Sequence, residues 1–77
     1  MEITILLFGN LAQIAETNKL IVQDVKDTGS INELMLSKFP TFKNKKYIIA
    51  LNQQLVKDNQ NLKDGDELAF LPPFAGG

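Results

Sequence analysis

Apolar side chains alternate from the start of the chain: in EITILLF, residues 2 to 8, Ile3, Ile5 and Leu7 fall on one face and Thr4, Leu6 and Phe8 on the other. That period of two, with β-branched residues prominent, predicts a strand, and apolar positions on both faces place it centrally in a sheet. Gly9 and Asn10 interrupt the pattern, LAQIAE (11 to 16) allows a short helical turn, and KLIVQDV (19 to 25) is β-rich again. It is close enough to return as the hairpin partner of the first strand.

The period then changes. Ser30 stands three residues before Glu33, a spacing that lets each side chain bond the other's amide, so a capping box is expected to start a helix at Ser30. Ile31, Leu34, Met35 and Phe39 continue at helical spacing, and Pro40 ends the run. YIIALN (47 to 52) reads as the next strand, Asn52 to Gln54 as a turn, and Leu55 and Val56 as a brief apolar pair. Leu62 is expected to anchor the following loop. The aspartate and glycine of KDGD make a turn, and ELAFL (67 to 71) is the last strand, with Leu68 and Phe70 on one face.

A capped helix between two groups of strands predicts an α+β domain, one mixed sheet of about five strands with a helix across it: the β-grasp, ubiquitin-like layout. Its first and last strands are expected to run parallel at the centre. The expected core is Ile3, Ile5, Leu7, Leu34, Met35, Phe39, Ile49, Leu51, Leu62, Leu68 and Phe70. Residues 1–71 form the domain in this reading, and 72–77 an extended tail.

Composition narrows the chemistry. With 77 residues there is material for one core, and 44% hydrophobic residues are enough to build it. No apolar run approaches the roughly 20 residues needed to span a bilayer, and the first residues lack a signal-peptide pattern, so the expected location is the cytoplasm. Cysteine and histidine are absent. That excludes disulfides, thiolate zinc or iron–sulfur sites, and the usual triads. All basic residues are lysines and the net charge is −1, which argues against nucleic acid as a partner. The lysine run FKNKKY (Lys43, Lys45, Lys46) is of a kind that usually forms a solvated loop. No phosphate-binding glycine loop occurs, and the two carboxylates of DGD are more often a turn than a metal site. The nine carboxylates read as solubility and capping groups.

One reactive group remains, the main-chain carboxylate of Gly77. As an anion with a pKa of about 3.3 to 3.7 it is a poor electrophile and has to be activated by a partner. The segment that carries it, LPPFAGG, is suited to delivery: Pro72 and Pro73 hold it stiff and extended, and Gly76 and Gly77 have no side chain to obstruct a narrow channel. Six residues beyond Leu71 span roughly 20 Å at ~3.3 to 3.6 Å each. Phe74 would anchor the stem in a partner, and a partner surface is expected around Ala69, Leu71 and Phe74. Loose terminal residues are common, but a frayed end needs neither paired prolines nor an aromatic ring.

LNQQLV (51 to 56), LKDGDELAF (62 to 70) and LPPFAGG (71 to 77) resemble, in order and spacing, the MoaD family, the small sulfur-carrier subunit of molybdopterin synthase. The resemblance implies the β-grasp fold and a cycle in which Gly77 is adenylated by a MoeB-like enzyme that uses ATP and is then converted to a thiocarboxylate by a sulfur donor. It implies that the tail enters the large subunit, MoaE, in a heterotetramer, and gives sulfur to cyclic pyranopterin monophosphate to form the dithiolene. Gly76 and Gly77 are then the functional pair, Pro72, Pro73, Phe74 and Ala75 the inserted stem, and no cofactor binds to this chain alone. Alternatives stay open on the residues: a ThiS-like carrier for the thiamin thiazole or a relative serving tRNA thiolation or protein conjugation, all of which share the diglycine, and a β-grasp interaction module with an inert tail.

Overall fold

The computed structural model describes residues 1–73. Five strands form one mixed sheet: β1 (Glu2–Leu7), β2 (Lys19–Gln23), β3 (Ile48–Leu51), β4 (Gln54–Val56) and β5 (Glu67–Leu71), in the order β2-β1-β5-β3-β4. β1 and β5 run parallel, Ile5 opposite Leu68 and Leu7 opposite Phe70, and the other pairings are antiparallel. The β-grasp expectation holds. The long connection between β1 and β2 carries the short helix α1 (Asn10–Ala15), which buries Leu11.

One face of the sheet is packed. Ile3, Ile5 and Leu7 from β1 and Leu68 and Phe70 from β5 meet Ile31 and Met35 of the main helix α2 (Thr28–Lys38), with Leu11, Phe42 and Leu62 closing the edges. Leu62 is the loop anchor expected of it, its amide donating to the Lys26 carbonyl at 2.8 Å.

Three expectations are corrected. The helix starts at Thr28 instead of Ser30: the Asp27 carboxylate caps it, accepting from the Ser30 amide at 2.8 Å. Asp27 is already held extended by a bridge to Asn61 and brings a full negative charge to the helix N-terminus, where a hydroxyl brings only a dipole. Leu34 is half-buried and outside the core cluster, because Ile31 and Met35, four apart, define the buried stripe and Leu34 lies about 100° round from Met35. Ile49, Leu51 and Phe39 are likewise only partly buried, though they do pack against the core. Beyond Pro40 the chain makes a 3-10 turn (Pro40–Asn44) that drives Phe42 to full burial, so part of the lysine-rich loop is a core element.

Phe42 stands among Phe39, Tyr47 and Phe70, with ring centroids 5.4, 5.8 and 6.4 Å away. This aromatic group holds the end of the sheet where β5 finishes.

Candidate functional site

The candidate site is the root of the tail and the sheet face beside it. β5 is the middle strand, so its alternation sends Leu68 and Phe70 into the core and Ala69 and Leu71 to the opposite, helix-free face. The pairings align Leu6, Ala69, Ala50 and Leu55 in one row across that face, with Leu71 and Ile48 paired in the row nearer the tail. Ile21 joins them beside Thr4. Leu55 is 65% exposed, Ile21 53% and Ile48 37%. Ala50 is buried although it belongs to this face and not to the core cluster, shadowed by its larger neighbours.

Ala69 and Leu71 are half-buried and Pro73 is exposed. Phe74, Ala75, Gly76 and Gly77, the remaining residues expected in the site, lie outside the described residues.

Pro72 is half-buried against the turn that ends β1. Gly9 there has φ 58°, and a Cβ on it would lie 2.8 Å from Pro72 Cγ, inside contact distance. Only glycine combines that backbone with that approach. The neighbouring Phe8 amide donates to the Phe70 carbonyl at 3.2 Å, so the turn grips the tail root on both sides of Leu71.

Sequence reasoning placed Ala69, Leu71 and the prolines here and missed Gly9, Ile21, Ile48, Ala50 and Leu55. One signal for the face was available: β1 is apolar on both sides, and among the described residues no helix covers its second face. Gly9 gave no signal, because its contact with Pro72 joins residues 63 positions apart.

The far end of the sheet supports the site without entering it. The turn before β5 has Gly65 at φ 86°, and the Asp66 carboxylate accepts from the Lys63 amide at 2.7 Å and from the Asn52 side chain at 3.0 Å. The Asn52 hydrogen bond first, and the Lys63 amide second, hold the Asp66 carboxyl below the usual carboxylate range. Hydrogen bonds from Ser30 and then Asn59 do the same for Asp27. Both carboxylates are occupied as turn and cap. Among the described residues no group of three or more potential ligands could hold a metal ion, and no helix is long and apolar enough to cross a membrane.

Known proteins resemble the chain over its full length. The model of the ThiS family matches residues 5–77. A molybdopterin synthase sulfur carrier subunit from Chlamydomonas reinhardtii is 32% identical, covering 100% of both chains. A solved complex of subunits 1 and 2 of molybdopterin-converting factor from Helicobacter pylori contains a chain 29% identical to this one, with TM-score 0.75 and 100% of each chain covered. A Pyrococcus furiosus structure described as subunit 1 of a molybdopterin converting factor superposes with TM-score 0.87 over 96% of this chain and 99% of that one; at 20% identity it speaks to the fold alone.

Proposed function

The chain belongs to the ThiS family, and from that membership we propose that it is the sulfur carrier of a molybdopterin synthase, with Gly77 as the carrying residue. The Gly77 carboxylate attacks the α-phosphate of ATP in a MoeB-like enzyme and expels pyrophosphate. Hydrosulfide supplied by a sulfur donor then attacks the acyl carbon, AMP leaves, and a thiocarboxylate remains. The tail carries this sulfur into a MoaE-like large subunit, where it passes to cyclic pyranopterin monophosphate. Two such deliveries complete the dithiolene. The chain thus acts as the small subunit of a sulfurtransferase, in an assembly of two small and two large subunits, and the nucleotide belongs to the activating enzyme.

The observation that carries this reading is the continuity between the open apolar face and the tail. Leu6, Ala69, Ala50 and Leu71 form a surface that no helix or strand among the described residues covers, and it runs directly into Pro72 and Pro73. A partner seated there receives the tail without searching for it. The absence of cysteine fits as well, since the sulfur is held on the terminal acyl group. The curated relative and the subunit complex favour the molybdopterin branch over the thiazole one.

Removing Gly77 is the test. The shortened chain is expected to melt with the intact one, because the residue lies past the last strand, and to lose sulfur transfer to background in a reconstituted synthase. A shortened chain that still transfers sulfur overturns the proposal. Affinity purification separates the branches: a MoaE-like subunit is the expected companion, and a thiazole synthase in its place contradicts it.

A further inference from the structure

A second recognition feature lies on the other side of the sheet. Between α2, the 3-10 turn and β3 is an open cleft of about 550 Å³. Its rim carries Lys43, Lys45 and Lys46, and among the described residues no carboxylate lines it. Among the described residues none of the three lysines forms an ion pair; the pair found there joins the Met1 amino group to Asp24. The floor is apolar, made by the half-buried Leu36 and Ile49 with the fully buried Phe42 beneath them.

The cleft also holds a fixed neutral polar pair. The Tyr47 hydroxyl donates to Asn32 Oδ1 at 2.6 Å, and burial pushes the tyrosine hydroxyl up, keeping it protonated as that donor. That bond uses the one proton of the hydroxyl and fixes Tyr47 against Asn32 on the cleft wall. The charged side chains lining the space are all cations.

Charge is separated along the molecule. Glu2, Asp64, Asp66 and Glu67 gather where β1 and β5 begin, Asp64 accepting from the Glu2 amide. Lys45 and Lys46 precede β3, whose first residue pairs with Leu71 at the opposite end. A chain of net charge −1 thus presents a local cationic surface beside the tail root.

We propose that this cleft binds an acidic segment of a protein partner, with carboxylates over Lys43, Lys45 and Lys46 and one aliphatic or aromatic side chain on Leu36 and Ile49. Fully exposed lysines hold a single small anion weakly in water, whereas a segment brings several carboxylates and an apolar anchor together. Small-ligand sites enclose most of their ligand, and this cleft is too open for that. Because it lies on the helix side, a segment bound there leaves Ala69 and Leu71 free for the partner that takes the tail. Phe70 joins the two sides: its ring centroid is 5.3 Å from that of Tyr47, one residue before Leu71.

The test is an amide-shift titration of the full 15N-labelled chain at low salt. The probe is a capped Glu-Glu-Leu-Glu-Glu-Phe peptide, run beside its glutamine counterpart, inorganic phosphate and ATP. The acidic peptide is expected to move amides between residues 32 and 49, to bind several-fold more weakly at 0.3 M salt, and to lose roughly three-fold or more in affinity with Lys45→Ala and Lys46→Ala together. Equal binding of the glutamine peptide, shifts spread over Lys19, Lys26 and Lys57, no binding, or indifference to the two substitutions overturns the proposal. So does phosphate or ATP producing the same shifts at lower concentration, which assigns the cleft to a small anion. None of these readings uses Gly77, so the outcome is independent of the tail chemistry.

Discussion

Gly9 shows how one backbone position can direct a tail 63 residues away in sequence. Its positive φ and its approach to Pro72 are the constraints on where the chain leaves β5. Gly9→Ala is expected to cost about 1–3 kcal/mol of stability and to slow sulfur transfer while the amide spectrum of the sheet is retained. Part of that loss belongs to the Pro72 contact, so a denaturant-melt cycle with Pro72→Ala should give a non-zero coupling; strict additivity would mean that the contact does not constrain the tail. Asp27 makes a second residue-scale prediction. Hydrogen bonds from Ser30 and Asn59 lower its folded pKa below the unfolded value, so its contribution is complete above about pH 4 and is lost as pH falls through the folded pKa. Stability of Asp27→Asn should fall less steeply than that of the parent between about pH 4.5 and 2.5. The cap was only half legible. The Ser30–Glu33 spacing is genuine, but Asp27 stands at the same spacing before Ser30, and only the bridge to Asn61 reveals which acceptor is already in place.

At the scale of elements, β1 and β5 were legible through their two-residue alternation and β2 and β3 through short apolar, β-branched runs, and the helix because Ile31, Met35 and Phe39 keep its period through to Pro40. The 3-10 turn was not. PTFKN has one apolar side chain among polar ones, and no periodicity signals that Phe42 reaches the centre of the aromatic group. Phe42→Ala is expected to cost about 3–5 kcal/mol, a large share of the stability of so small a domain, and to loosen the end of the sheet from which the tail departs. Chemical denaturation checks it; a loss below about 1 kcal/mol would remove Phe42 from the core. Leu34, by contrast, was expected in the core and is not, so Leu34→Ala should cost less than Met35→Ala in the same experiment.

Over the whole molecule, the β-grasp order follows from the order of elements, and the position of β5 at the centre of the sheet fixes where the tail begins. A central strand reaches both faces, so the residues before Pro72 bind the core to the partner surface in alternation. The open face was partly legible through Ala69 and Leu71; its full width, from Ile21 to Leu55, depends on registers that only the folded sheet defines. If the large subunit docks there, Leu6→Asp near its centre should weaken binding about 30-fold, a hot-spot loss near 2 kcal/mol, with the charged side chain remaining at a half-buried, helix-free surface. Unchanged binding would place the docking surface elsewhere.

The central claim is that the terminal acyl group of Gly77 carries sulfur, and the intact mass of the protein tests it most directly. Incubated with a MoeB-like enzyme, ATP and a sulfur donor, the chain should gain the mass of one oxygen-to-sulfur exchange, and fragmentation should assign the gain to Gly77. An unchanged mass, with an activating enzyme that modifies its own carrier in parallel, would contradict the account.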